Sequence, residues 1–141
     1  MRMAPAALGM LVAIGACALP PAAPDAPAVP PTLAGTRWMG VTQGGSTDPR
    51  TLPRLEFVGG GRLSGFTGCN LLSGGWKMEG AEVVLGPLAT TKRLCIGPAG
   101  DTEKRFLAAI ADGGRGRRED DRLVFTGPGG GRFELVEAAA T

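Results

Sequence analysis

The sequence predicts a mainly β domain, either a sandwich or a barrel, that carries one α-helix. Short alternating segments separated by Gly-rich turns follow one another from residue 33 onward, which is typical of both architectures. All five Phe and both Trp lie between Trp38 and Phe133, so one compact domain holds every aromatic ring. A single amphipathic segment near residues 101–112 interrupts the strands, and we expect its apolar side to close a barrel mouth.

The alternating segments are arranged as hairpins, because turn residues stand between successive pairs. Residues 36–41 predict a first strand, and the later segments predict three hairpins whose turns contain glycine. The predicted hairpin strands are 54–58 with 62–66, 76–78 with 82–85, and 122–126 with 132–136.

The helix prediction depends on an apolar stripe and on residues suited to the two helix ends. Phe106 and Ile110 stand four positions apart, as residues on one face of a helix do. Asp101 is a suitable N-cap, and Gly113 supplies the backbone conformation that ends a helix. The charged run that follows, 115–122, predicts a solvated loop, with a partner-docking loop as the alternative.

Residues 1–16 predict a secretory signal. Arg2 precedes an apolar run at 4–16, which is shorter than the roughly 20 residues of a spanning helix. The run ends in Ile-Gly-Ala before Cys17 and resembles a bacterial lipobox, so we expect Cys17 to be acylated. Ala18 rather than Asp follows it, which by resemblance to Gram-negative lipoproteins indicates the periplasmic face of the outer membrane. The alternative is an ordinary signal cleaved further along, with Cys17 discarded.

The next segment predicts a tether between the lipid and the domain. Six of the twelve Pro lie between residues 20 and 31, and this content favours polyproline II. A spacer of that length and kind holds a domain at most ~40 Å from the bilayer. The predicted organisation is a lipidated Cys and tether at 17–32, a domain at 33–137 and a short tail at 138–141.

Two further cysteines, Cys69 and Cys95, lie in a chain predicted to be exported, where disulfides persist. Closing a loop of this length contributes on the order of 3–4 kcal/mol in the chain-entropy description. We therefore predict a Cys69–Cys95 disulfide, with two buried free thiols as the alternative.

The segments around these cysteines resemble a known family. Residues 33–38 read Leu-Ala-Gly-Thr-Arg-Trp and are similar to the L-x-G-T-x-W opening of the META-domain (HslJ-like) family. Residues 61–76 are similar to its G-R-x-S-G-x-x-G-C-N-x-x-S-G-x-Y core. Residues 85–95 resemble its segment ending T-[RK]-x-x-C, and 103–107 match its helix pattern E-x-x-F-L. The resemblance covers 33–137 in the same order.

The resemblance implies a small antiparallel β-barrel with one helix, of a kind often found in envelope lipoproteins and associated with stress tolerance. It implies no catalytic activity, because the family has no generally agreed one. The chain departs from the family pattern at Leu71 and Leu72, which replace Arg-Phe, at Trp76, which replaces Tyr, and at Arg93, where Met is frequent. These departures bear on ligand preference rather than on the fold.

Composition excludes several kinds of chemistry. The chain has no His, which excludes Ser-His and Cys-His catalysis and imidazole metal sites. A net charge of +2 is too small to indicate a nucleic-acid-binding surface. The Gly runs 59–61 and 129–131 lead into strands, so they predict turns rather than phosphate cradles. The carboxylate pairs at 79/82 and 120/121 are interpreted as solvated turn residues. We predict no cofactor, no metal ion and no enzymatic activity.

The strongest candidate for a binding patch surrounds the predicted disulfide. Thr91, Lys92 and Arg93 precede the second of the two cysteines, and the disulfide would bring them near Asn70. We expect a non-catalytic envelope lipoprotein that docks an envelope protein partner at this patch, as a stress-associated or assembly factor. The alternatives are a lipocalin-like binder of a small apolar ligand and a protease inhibitor, although we expect aromatic rings to fill the barrel.

Overall fold

The computed structural model describes residues 33–41 and 48–138 of the chain. The predictions for the signal, Cys17, the tether and the last three residues lie outside these described ranges. Within them, nine strands, one 3-10 turn at Pro49–Thr51 and one α-helix follow one another. They are β1 Arg37–Gly40, β2 Arg54–Val58, β3 Arg62–Phe66, β4 Leu71–Glu79, β5 Glu82–Leu85, β6 Ala89–Thr90, α1 Pro98–Ile110, β7 Arg115–Glu119, β8 Arg122–Thr126 and β9 Arg132–Glu137.

Eight of the strands close into an antiparallel barrel. The sheet order is β3-β2-β1-β9-β8-β7-β5-β4, and β3 also pairs with β4, which joins the two ends of the sheet. Closure removes the free edges that an open sheet of this size would expose. The predicted mainly β fold with one helix is confirmed, and so are all three predicted hairpins.

The ninth strand, β6, continues β5 along the same edge of β4. The register changes by one residue between them, so Pro87 and Leu88 together face Gly74, as in a β-bulge. A Cβ on Gly74 would lie 2.7 Å from Leu88 Cδ2 and 2.8 Å from the Pro87 carbonyl oxygen, so a side chain there would clash. After the bulge, β6 pairs with the first residues of β4. β4, predicted only at 76–78, is nine residues long because residues 71–75 pair with β3.

Five of the seven aromatic side chains are buried in the barrel, whereas the expectation that both Trp and all five Phe fill it is wrong for Phe66 and Trp76, which are only half-buried. The buried rings pack edge to face, with the centroids of Phe106 and Phe133 5.1 Å apart. The indole of Trp38 is buried as well, and its Nε1 donates a hydrogen bond to Thr36 Oγ1 at 2.8 Å, so its polar atom is satisfied. The large rings exposed by 2% or less are Trp38, Phe57, Phe106, Phe125 and Phe133.

The helix begins three residues earlier than predicted. Pro98 occupies the first turn, where its missing N–H has no helical partner to lose, and Gly97 before it has a φ of 68°. Asp101 therefore lies inside the first turn, where its charge complements the helix N-terminus. Ala108 packs on the turn between β8 and β9, so the helix covers that end of the barrel. In the described ranges, no helix is long and apolar enough to cross a membrane.

The prediction of a solvated loop at 115–122 is wrong, because this run forms β7 and the turn into β8. The alternation of apolar and polar residues that predicts a strand is absent from β7, because its inward positions are Gly116 and a half-buried Arg118. A Cβ on Gly116 would come within 2.7 Å of both Phe125 and Val83, so the core leaves no room for a larger residue. Arg118 holds its guanidinium carbon 5.4 Å from the centroid of the Trp38 ring.

Candidate functional site

The predicted disulfide is present and connects the segment after β3 to the segment before α1. Cys69 and Cys95 are bonded with their Cα atoms 6.0 Å apart, and Cys69 is buried. The alternative of two free thiols is therefore wrong. A bonded sulfur is not a thiolate, so in this state neither residue is a nucleophile. We call residues 91–97 the Cys95 loop.

Asn70 lies beneath the Cys95 loop and holds it by three hydrogen bonds, while a fourth connects the amide to α1. Its Nδ2 donates to the Arg93 carbonyl oxygen at 2.9 Å and to Glu103 Oε1 at 2.9 Å. Its Oδ1 accepts from the Arg93 N–H at 2.7 Å and from Thr91 Oγ1 at 2.9 Å. Asn70 is only 5% exposed, and its amide is fully used in these bonds. It therefore supports the patch from inside rather than presenting a group to a ligand.

Thr67 connects the same network to the helix. Its hydroxyl donates to Glu103 Oε1 at 2.7 Å and accepts the backbone N–H of Asn70 at 2.8 Å. Thr67 is completely buried, and the network connects the segment after β3, α1 and the Cys95 loop. The structure thus brings the predicted patch residues together but divides their roles. Asn70 is internal, whereas Thr91, Lys92 and Arg93 are exposed.

Exposed apolar side chains surround the disulfide. Leu94 is 88% exposed and Ile96 is 85% exposed, and they flank Cys95 directly. Leu71, two residues after Cys69, is 65% exposed, and its carbonyl oxygen accepts the N–H of Thr91 at 3.1 Å. The exposed large hydrophobic residues in the described part of the chain are therefore gathered in one region, where sequence reasoning had placed only polar residues.

A groove of about 940 Å³ runs across the outer face of β1, β2, β3, β4 and β6 and ends near the Cys95 loop. We call it the outer groove. Strand register aligns the outward-facing residues of the groove into two rows that cross the strands. Within each row, a residue pairs directly with the residue opposite it on the neighbouring strand. The first, largely apolar row is Met39, Arg54, Phe66, Leu71 and Thr91, and the second, more polar row is Arg37, Glu56, Ser64, Ser73 and Ala89.

Cations outnumber anions along the outer groove. Arg54 places its guanidinium carbon 5.0 Å from the centroid of the Phe66 ring, and no described carboxylate lies within ion-pairing distance of it. The neighbouring Arg37 is paired with Glu56, with 3.5 Å between Nε and Oε1. Lys92 reaches back to the rim, where its Nζ donates to Thr90 Oγ1 at 3.4 Å. The groove therefore suits an apolar surface that carries negative charge.

The groove depends on a close approach between β2 and β3. A Cβ on Gly65 in β3 would overlap the carbonyl oxygen of Arg54 in β2. This surface was not predicted from the sequence, although the predicted pairing of 54–58 with 62–66 already sets Arg54 opposite Phe66. The other strands of the groove are distant in sequence, and their register cannot be read from local patterns.

The carboxylate pair at 79/82 belongs to an exposed ion-pair cluster. Glu82 Oε2 lies 3.1 Å from Arg115 Nη1, and Glu82 Oε1 lies 3.1 Å from Arg117 Nη2. Hydrogen bonds from Arg117 first and Arg115 second hold the pKa of Glu82 below its usual range. Across 33–41 and 48–138, no cluster of three or more Cys, Asp or Glu side chains could hold a metal ion.

Comparison with known proteins supports the fold and identifies the family. The fold is similar to an NMR structure of a protein from Burkholderia xenovorans, with a TM-score of 0.59, 21% identity and coverage of 85% of this chain and 99% of that one. A second NMR structure has a TM-score of 0.56 and 16% identity, and the match covers 74% of this chain and 90% of that one. No curated protein matches the chain. The META domain model matches residues 31–140, and the chain therefore belongs to the META domain family.

Proposed function

We propose that this META domain protein is a non-catalytic, lipid-anchored envelope protein that docks a protein partner in the outer groove. The observation that carries the proposal is the groove itself, where Leu71 is 65% exposed within a row that also contains Phe66 and Met39. A solvent-facing apolar row of this kind on a closed barrel marks an interaction surface. The family resemblance gives the setting, a stress-associated or assembly role in the cell envelope.

One position at which the chain departs from its family lies in the groove, and a second lies on the adjoining Cys95 loop. Leu71 stands in the groove where the family commonly has Arg, and Arg93 stands on the Cys95 loop where Met is frequent. Both substitutions change the chemistry of an exposed position without touching the core. They support a partner preference specific to this chain, and they give no reason to transfer a ligand from a relative.

A binding role is also supported by the state of the polar groups at the site. The amide of Asn70 is occupied by four internal hydrogen bonds, and Cys69 is in a disulfide. Glu56, a carboxylate that lines the outer groove, is paired with Arg37. Each of these groups has a structural partner, which supports a binding role over a catalytic one.

The proposed anchor is an acyl chain on Cys17 at the periplasmic face of the outer membrane. It is supported by the lipobox-like Ile-Gly-Ala before Cys17 and by the Pro-rich segment at 18–31. Intact-mass measurement of detergent-extracted protein tests it directly. We expect a mature chain that begins at Cys17 and carries lipid, whereas a lipid-free chain beginning beyond Ala18 would contradict the anchor.

Docking in the groove is tested by replacing Leu71. The full-length L71D protein should lose its partner in cross-linked capture from solubilised envelopes, because the new charge would face the partner's apolar surface. Its unfolding midpoint should stay close to that of the parent, since Leu71 is outside the core. D121S, on an exposed turn away from the groove, is the matched control. Equal recovery of the same partner with L71D and the parent would exclude the groove.

A further inference from the structure

We propose that the Cys95 loop is a membrane-contact element that rests on the surface of an anionic bilayer, in addition to any acyl anchor. The inference goes beyond protein docking, and it rests on the proposed anchor only for keeping the domain close to a membrane. Four side chains on this loop carry it: Lys92, Arg93, Leu94 and Ile96.

The two aliphatic side chains protrude from the loop. Leu94 and Ile96 are 88% and 85% exposed, so almost none of their surface is covered by the protein. Both stand next to Cys95, whose disulfide holds the loop to the barrel. Side chains that project from a convex loop can enter the boundary between head groups and acyl chains without any shape match, because that layer is fluid.

The two residues before them supply positive charge. No described carboxylate lies within ion-pairing distance of the Lys92 ammonium, whose recorded contact is Thr90 Oγ1 at 3.4 Å. Arg93 is exposed, and Asn70 binds only its backbone, so its guanidinium is left facing outward from that network. Basic residues beside exposed aliphatic ones are typical of segments that lie on anionic lipid.

The loop is held rigid before it meets any surface. The disulfide restrains it at Cys95, and Asn70 binds both the N–H and the carbonyl oxygen of Arg93. Contact therefore orders little additional backbone, which lowers the entropy cost of association. A network of this kind is well suited to presenting apolar side chains to a lipid surface.

The small apolar area of the Cys95 loop favours a bilayer, rather than a second protein, as the surface that the loop contacts. A stable protein interface buries about 800 Å² on each side, far more than two aliphatic side chains on one loop can supply. A small contact is sufficient when the domain is already attached to the membrane, because the anchor raises the local concentration of lipid surface. Anionic lipid is thus the occupant that matches both the small area and the charge.

Amide hydrogen exchange on the full-length acylated protein tests this contact. The protein is reconstituted into vesicles of phosphatidylcholine alone or of phosphatidylcholine with phosphatidylglycerol, and exchange is followed by mass spectrometry. We expect the amides of Leu94 and Ile96 to exchange severalfold more slowly in the anionic vesicles. The L94S/I96S and K92S/R93S double variants should remove that protection, whereas K104S, on the exposed side of α1, should retain it.

The possible results distinguish failure of the proposed membrane contact from failure of the proposed acyl anchor. Intact mass reports acylation before reconstitution, so a lipid-free chain would count against the proposed anchor and not against the loop. Acylated protein whose loop amides exchange equally in both kinds of vesicle would overturn the membrane contact. Protection that appears only when an envelope protein is added to neutral vesicles would also overturn it, in favour of a protein partner.

Discussion

A single buried amide, that of Asn70, determines the path of the chain between β6 and α1. Its Oδ1 and Nδ2 together bind the Thr91 hydroxyl, both backbone groups of Arg93 and the Glu103 carboxylate. Asn70 was expected near residues 91–93 because the predicted disulfide joins Cys69 to Cys95, and its amide does contact Thr91 and Arg93. It could not distinguish a ligand contact from a structural one, since that distinction depends on which groups surround the amide.

Replacing Asn70 should therefore cost stability. In N70A, both backbone groups of Arg93 lose their side-chain partner and the Glu103 carboxylate keeps only Thr67, so we expect a loss of about 2–3 kcal/mol in the free energy of unfolding. Urea unfolding measures it. S73A, which removes an exposed hydroxyl from β4, should change stability little and is the control. If N70A and S73A unfold at the same urea concentration, the network is not what holds the loop.

Gly65 provides a second test at the scale of one residue. A methyl group there would overlap the Arg54 carbonyl oxygen, so G65A should push β2 and β3 apart and cost about 3 kcal/mol. Gly59 has open space around its Cβ position, and G59A should be tolerated. Thermal unfolding of the two variants provides the comparison. A G65A protein as stable as G59A would show that the close approach of the strands is not required.

At the scale of elements, the disulfide holds the Cys95 loop against the barrel. Cys69 and Cys95 are 26 positions apart, and in the chain-entropy description this closure contributes about 3–4 kcal/mol. Reduction with dithiothreitol should lower the free energy of unfolding by about that amount and increase amide exchange in 91–97. The C69A/C95A variant should not respond to the reductant. An unchanged unfolding midpoint after verified reduction would contradict this role.

The ion pairs on β7 predict how one carboxylate titrates. Hydrogen bonds from Arg117 and then Arg115 lower the pKa of Glu82, so the pairing stabilises the fold fully above the ordinary Glu value of about 4.3. That stabilisation is lost as the pH falls through the lowered folded-state pKa. NMR titration should find the Glu82 pKa below the ordinary value and R117Q should raise it, whereas R62Q should not. A value at or above the ordinary one in the parent would contradict the pairing.

At the scale of the whole molecule, local signals predicted much of the barrel but not all of it. The hairpins 54–66 and 122–137 were predictable because their strands alternate clearly and glycines mark their turns. β7 was not, because Gly116 and Arg118 occupy its inward positions and remove the apolar signal. The helix start was misplaced because Asp101 is a good cap in isolation, whereas Pro98 opens the first turn.

The proposed binding surface was predicted only in part, for a related reason. Residues 91–93 were recognised through their link to the disulfide, which can be inferred from sequence. The outer groove is assembled from five strands whose outward residues come into line only through register. Leu94 and Ile96 appear in the sequence as ordinary apolar residues, and only their exposure of 88% and 85% distinguishes them.

The central claim, that the outer groove is the docking surface, is tested most directly by site-specific photo-cross-linking in intact envelopes. A photoreactive residue is placed at Ser73 in the groove or at Thr126, an exposed position of β8 outside it. We predict one discrete protein adduct from position 73 that is lost when L71D is added, and no such adduct from position 126. Equal labelling from both positions, or an adduct from 73 that survives L71D, would contradict the account.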